Sequence, residues 1–281
     1  MKILTANGAN MPALGLGTWQ LRDDTCSELV NEALTAGYRH VDTAIMYENE
    51  AAVGEGVRHS GVSRSDVFVT TKVWHNNIVE GRFQSEVENS LKRLETDYVD
   101  LLLIHWPPTD NRDFREWARL LNDVAERGWA RNIGVSNFTE PMLDKMVEYS
   151  DRPIACNQVE NHPYLDQSKL RAKCAEHGIA LIAYCPLYRL GGLFEEPAIV
   201  GAAERHSKTP AQIVLRWHVQ HDGAGAIPKT ATVSRLSENA DIFDFELSND
   251  ELALRLAHKL RPRRRHAGVC RFESLYMFQT I

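Results

Sequence analysis

Residues 67–105 read V-F-V-T-T-K-V-W-H-N-N-I-V-E-G-R-F-Q-S-E-V-E-N-S-L-K-R-L-E-T-D-Y-V-D-L-L-L-I-H. Two short apolar runs, Val67 to Val73 and Val99 to His105, bracket a segment in which Phe83, Val87, Leu91 and Leu94 recur at helical spacing. A strand that is apolar along its whole length needs cover on both faces, as in a parallel sheet clothed in helices. The stretch therefore reads as a β-α-β unit. Each strand carries a residue that can bear charge, Lys72 near the end of the first and His105 closing the second.

The same unit extends in both directions. Upstream, Leu14 to Trp19 (L-G-L-G-T-W) reads as a strand with close backbone approach at its end, followed by a helix over Asp24 to Ala36. That helix turns Cys26, Leu29, Val30, Ala33 and Leu34 inward and stops at Gly37. The strand through Val41 leads to a helix over about Asn49 to Ser60, with Ala52, Val53, Gly56 and Val57 inward. Downstream, strand Asn132 to Asn137 leads to a helix capped by Thr139, with Leu143, Met146 and Val147 inward. Strands Ala155 to Glu160, Ala180 to Leu187 and Gly225 to Lys229 complete the series, with a helix opening at Thr209-Pro210 before the last. Asn7-Gly8 between short apolar stretches marks an N-terminal β-hairpin. About eight parallel strands alternating with helices predict a (β/α)8 TIM barrel of the usual length. A doubly wound open sheet fits less well, because no G-x-G-x-x-G turn follows an early strand; G-E-G-V-R-H at Gly54 lies within a helix and lacks the third glycine.

The chain has 281 residues, 43% hydrophobic and 25% charged, with 32 basic and 38 acidic side chains and a net charge of −6. This balance makes no electrostatic case for nucleic acid or a membrane surface, and the basic run Arg261 to His266 is confined to the tail. No apolar run approaches the ~20 residues that span a bilayer. A soluble cytoplasmic protein with a single domain over residues 1–281 is expected. Cys26, Cys156, Cys174, Cys185 and Cys270 are scattered and lack C-x-x-C spacing, which favours reduced thiols over disulfides or a metal site. Cys185 reads as a small buried apolar residue rather than a nucleophile.

In a barrel the active site forms at the C-terminal rim of the strands. Asp42, Lys72 and His105 fall there on three successive strands, with Tyr47 in the loop after the first. Neighbouring strands are about 4.8 Å apart, so these side chains can touch. A buried lysine needs a partner, and Asp42 is the nearest candidate. Alone, that pair reads as a structural ion pair and His105 as a core histidine. Ser136, Asn137, Asn157, Gln158, Tyr184 and Lys229 mark other strand ends.

At these residues the chain resembles the aldo-keto reductase family, and within it the bacterial 2,5-diketo-D-gluconate reductases. The matching segments include G-L-G-T-W (15–19), D-T-A-I-M-Y (42–47), T-T-K-V-W (70–74), L-I-H-W-P (103–107), G-V-S-N-F (134–138), A-Y-C-P-L (183–187) and I-P-K-T (227–230). They run in the family's order over about residues 1–250, whereas the tail from about 251 has no clear match.

The resemblance implies that Tyr47 is a general acid toward a carbonyl oxygen that receives hydride on its carbon. Lys72, held by Asp42, lowers the phenol's pKa, and His105 orients the carbonyl. It implies NADPH/NADP+ as cofactor, in contact with Gly17, Thr18, Trp19, Asp42, Ser136, Asn137, Gln158, Tyr184, Pro186 and Leu187. Lys229, Thr230 and Arg235 would lie around the 2′-phosphate, with Glu238 and Asn239 near the adenine. Two cations suit a dianionic phosphate, which favours NADPH over NADH. Trp19, Tyr47, Trp74, His105 and Trp106 would line the substrate pocket.

Small aldehydes and ketones are the implied substrates, methylglyoxal and 2,5-diketo-D-gluconate among them, acted on by a monomer. Two other readings compete. A Schiff-base aldolase would use Lys72 as its nucleophile, and a cofactor-binding module would bind the dinucleotide without turnover.

Overall fold

The computed structural model describes residues 1–108, 113–165, 167–189 and 191–253. It opens with a hairpin of β1 (Ile3–Ala6) and β2 (Ala9–Pro12). Asn7 and Gly8 take φ of 47° and 89°, the left-handed pair that a two-residue hairpin turn needs. The Asn7 side chain donates to the carbonyls of Ile154 and His177 and so anchors the hairpin under the barrel.

Eight parallel strands follow, each paired with the next: β3 (Leu16–Gly17), β4 (His40–Asp42), β5 (Phe68–Val73), β6 (Val99–Ile104), β7 (Ala130–Ser136), β8 (Ile154–Glu160), β9 (Ala180–Tyr184) and β10 (Ala224–Ala226). The intervening helices are α1 (Asp23–Thr35), α2 (Glu50–His59), α3 (Arg82–Leu94), α4 (Phe114–Glu126), α5 (Glu140–Tyr149), α6 (Ser168–Glu176), α7 (Pro197–His206) and α8 (Pro210–Gln220). Helices α9 (Ser234–Ala240) and α10 (Asn249–Leu252) come after β10. The sheet closes on itself. Ala226 N–H donates to Ala13 O at 2.8 Å, Gly15 N–H to Ala226 O at 2.9 Å and Gly17 N–H to Pro228 O at 3.0 Å. Closure requires glycine at this seam: a Cβ on Gly17 would stand 2.8 Å from Ile227 O, and one on Gly225 would stand 2.7 Å from Ala13 O.

The expected (β/α)8 barrel with its hairpin is the fold found, and the differences lie at element ends. The strand read over Leu14 to Trp19 is regular only at Leu16–Gly17, because its N-terminal half spends its hydrogen bonds on the seam. The strand read over Ala180 to Leu187 stops at Tyr184, since Cys185 turns left-handed with φ 48°. The run from Gly225 to Lys229 leaves the sheet after Ala226, ahead of Pro228, which has no N–H to donate. Two side chains behave otherwise than expected. Val147 is 36% exposed, because α5 buries only Leu143 and Met146. Thr139 precedes α5 without a capping bond from its side chain. Thr209 does cap α8, in a reciprocal pair of bonds with Gln212. The expectation that the tail from about 251 departs from the family lies almost wholly outside the described residues, as do Cys270 and Arg261 to His266.

Buried histidines make the fold sensitive to acid. His40, between Thr70 and the Pro12 carbonyl, has its pKa lowered by burial. Burial also lowers that of His218, to about 3; its Nε2 donates to Pro186 O at 3.2 Å. A histidine kept neutral in the folded state gains a proton only on unfolding, so stability is retained above the ordinary pKa near 6.5 and falls with pH below it. From 6.5 down to about pH 5, His218 alone costs roughly 2 kcal/mol at ~1.36 kcal/mol per unit. Urea unfolding at neutral pH and at about pH 5 should show this loss, and His218→Gln should flatten it. Equal wild-type stability at both pH values would refute the reading.

Candidate active site

Strands β4, β5 and β6 are hydrogen-bonded neighbours, with Asp42 beside Thr70 and Lys72 beside Leu103. Their C-terminal ends bring together the acid, the lysine and His105. Lys72 is fully buried, and its Nζ donates to Asp42 Oδ1 at 2.5 Å, Thr43 O at 2.9 Å and Tyr47 Oη at 3.4 Å. The second oxygen of Asp42 accepts from Gln158 Nε2 at 2.7 Å, so the carboxylate is held from both sides. Burial pulls the Lys72 pKa below its ordinary value, while Asp42, and more weakly Glu50, oppose the shift.

Tyr47 ends a single helical turn over Ile45–Tyr47. The turn is fixed from below by Asn49, which accepts from Thr43 Oγ1 and donates to the carbonyls of Thr18 and Leu21. Lys72 Nζ sits 4.9 Å from the centre of the Tyr47 ring. His105 lies just beyond β6, its N–H still paired with Val73 O at 2.9 Å. Its ring packs edge-on against Tyr47 at 5.7 Å and Trp74 at 5.2 Å between centroids. Burial, then Lys72 and His75, hold its pKa well below 6.5, so the imidazole is neutral at physiological pH. Its Nδ1 is buried with no hydrogen-bond partner among the described residues.

These groups open into a cavity of about 310 Å³, at the small end of the ~300–1,000 Å³ usual for ligand sites. Its walls include Trp19, Tyr47, Trp74 and His105 at the catalytic end, with Gly17, Thr18, Asp42, Gln158 and Tyr184 beside them. Pro186, Leu187, Lys229 and Arg235 extend it along the rim. Partial burial and the neighbouring Arg189 cation lower the Lys229 pKa.

Not every expected contact reaches this wall. Ser136 and Asn137 stand one layer behind it: Ser136 Oγ donates to Gln158 O at 2.8 Å, and Asn137 Oδ1 accepts from Tyr184 Oη at 2.9 Å. Thr230 is buried with its hydroxyl turned onto the Thr232 backbone. Glu238 accepts from Thr209 Oγ1, and Asn239 is buried on α9. Trp106 is half-buried beside His105 but off the lining. Conversely, Met46, Cys185, Tyr188, Arg189, Phe194, Ile227 and Pro228 line the cavity without having been singled out for it. Cys185 corrects its sequence reading, since the left-handed turn carries it out of the strand into a half-exposed place on the wall. The glycine pair Gly191-Gly192 after Arg189 was the available sign of a turning loop there.

Among the described residues no group of three or more His, Cys, Asp or Glu side chains could hold a metal ion, and no helix is long and apolar enough to cross a membrane. What the arrangement offers instead is a phenol beside a cation, with a neutral imidazole packed edge-on against the phenol ring.

The model of the Aldo/keto reductase family matches residues 13–258. The methylglyoxal reductase DkgA of Yersinia pestis is 41% identical over 248 residues, covering 88% of this chain and 88% of the relative. Among solved structures, a protein assigned as a 2,5-diketo-D-gluconic acid reductase B superposes with a TM-score of 0.88 at 44% identity, over 95% of this chain and 94% of that one. An aldo-keto reductase of Bombyx mori, in complex with NADP, gives 0.84 at 33% identity over 90% and 91%. With its barrel, its rim cluster and these matches in agreement, the chain belongs to the aldo/keto reductase family and is an oxidoreductase acting on carbonyl groups.

Proposed function

We propose that the enzyme uses NADPH to reduce small aldehydes and ketones to alcohols, with Tyr47 as the general acid. The observation that carries this reading is the position of Lys72 Nζ, bonded at once to the Asp42 carboxylate and to the Tyr47 hydroxyl. NADPH, when bound, supplies the hydride. The protein's own task is then to hold the carbonyl and deliver one proton to its oxygen. The ammonium beside Tyr47 favours the phenolate that remains after transfer, so the proton leaves more readily. A neutral His105 donates from Nε2 to the same oxygen while negative charge builds there. Trp19, Trp74 and Met46 supply apolar walls suited to a small carbonyl compound.

The donor set suits the cofactor. Tyr184 offers a ring, and Lys229 and Arg235 two cations, on the wall of the same cavity. The names of the relatives favour 2-keto aldehydes such as methylglyoxal, or 2,5-diketo-D-gluconate, as substrates. We place the enzyme in the cytoplasm as a monomer. Loss of reduced nicotinamide absorbance on adding either compound tests the activity; no oxidation of NADPH with any small aldehyde or ketone would overturn it. Lys229→Ala combined with Arg235→Ala removes two charge-assisted contacts, and should weaken NADPH by about 100-fold while sparing NADH. Equal losses for the two cofactors in fluorescence titrations would count against a 2′-phosphate site at these residues.

A further inference from the structure

Asn49 stands two residues beyond Tyr47 and immediately before α2, where an asparagine ordinarily caps the helix with its side chain. Here it makes no such bond. The side chain is 3% exposed and its bonds run to other segments instead. Oδ1 accepts from Thr43 Oγ1 at 2.8 Å, and Nδ2 donates to Thr18 O at 2.8 Å and to Leu21 O at 3.0 Å.

Thr18 and Leu21 are the two ends of a tight turn, closed by Leu21 N–H to Thr18 O at 3.0 Å. Its third residue, Gln20, is left-handed with φ 62°, a place that favours glycine. One amide therefore grips both ends of a strained turn. Its oxygen meanwhile holds Thr43, whose own carbonyl accepts from Lys72 Nζ at 2.9 Å. On the outer side the Tyr47 carbonyl accepts from Arg22 Nη1 at 2.7 Å, but Arg22 is largely exposed and shared with Glu48, so it holds the Tyr47 turn weakly.

We propose that Asn49 is a positioning residue for the reaction: through these bonds it fixes the Ile45–Tyr47 turn at the distance from Lys72 that proton transfer needs. The inference rests on the proposed role of Tyr47 as general acid. The charged and titratable groups around Tyr47 are Lys72 on β5, Asp42 on β4, His105 beyond β6, and Arg22 and Glu48 on the outer side. Among the described residues Asn49 hydrogen-bonds to none of these side chains, so it acts through position and not through charge.

Asn49→Ala should lower the single-turnover rate of methylglyoxal reduction by about 10- to 100-fold, the scale of a ~1 Å misplacement. NADPH affinity should stay within about three-fold of wild type. As Tyr47 draws away from the Lys72 cation its phenolate is less favoured, so the alkaline fall of that rate should move to higher pH by about half to one unit. A loss of stability alone would not move it. Gln20→Gly relieves the left-handed strain, so in the Asn49→Ala background it should restore stability to urea without restoring the rate. Thr43→Val removes a single hydroxyl and should shift the same alkaline limb in the same direction by less; it carries the test if Asn49→Ala does not fold.

Wild-type enzyme that oxidises no NADPH with any small carbonyl compound, or Tyr47→Phe at the wild-type rate, would sink the functional reading beneath this inference. With those two controls as expected, three results would each reject the role of Asn49. They are an unchanged rate in Asn49→Ala, an alkaline limb that stays in place in the folded variants, and a rate that returns together with stability on adding Gln20→Gly.

Discussion

Tyr47→Phe should lower kcat for carbonyl reduction by about 10²–10⁴-fold, the range for loss of a positioned general acid, while NADPH affinity stays within about two-fold. The substitution removes one oxygen atom. Lys72 keeps its bonds to Asp42 and to the Thr43 carbonyl, so the buried charge remains satisfied. The ring keeps its edge contact with His105. Nothing else in the cavity needs to move, and the defect should appear in turnover rather than in binding. Steady-state rates alongside a fluorescence titration with NADPH separate the two. A variant that turns over at the wild-type rate would remove Tyr47 from the role of acid.

Lys72→Met is the change expected to cost the most stability. It leaves Asp42, 1% exposed, with Gln158 as its side-chain partner and no cation beside it. Breaking a buried pair from one side typically costs about 3–5 kcal/mol, because a charge is left without compensation. The double variant Asp42→Leu with Lys72→Met removes both charges, and should be less destabilised than the sum of its two single changes. Urea unfolding of the four proteins gives the coupling directly. Additive losses would show that the two side chains do not act as a pair, and would weaken the argument that Asp42 holds the lysine against Tyr47.

The barrel was legible because its strands are short and apolar throughout, and because a polar residue marks the end of nearly every one. Asp42, Lys72 and His105 could be put on one rim from strand order alone, and the folded chain lines one cavity with Asp42 and His105 and bonds Lys72 to Asp42. The loop carrying Tyr188, Arg189 and Phe194 over the cavity was not legible in the same way. Its course depends on left-handed backbone at Cys185, Tyr188, Gly191 and Gly192, two of which are not glycine. No periodicity announces such a turn, and so the arginine it carries went unassigned. Ser136 and Asn137 were legible as the end of β7, where they bond to Gln158 O and Tyr184 Oη beside the cavity. Val147 illustrates a second limit: apolar identity and helical spacing put it inward, but the face that α5 presents to the barrel is only wide enough for Leu143 and Met146.

The hydrogen bonds that join Ala13 and Gly15 to Ala226 link opposite ends of the chain. A polypeptide emerging from the ribosome cannot make them until its eighth barrel strand has been synthesised, on the order of tens of seconds after the first at ordinary elongation rates. Throughout that interval the first strand has an unpaired edge, which is a template for misassembly. Bulky replacements at Gly17 or Gly225 would prolong this exposure. They should therefore be recovered as insoluble protein at synthesis more readily than their effect on the finished fold would suggest.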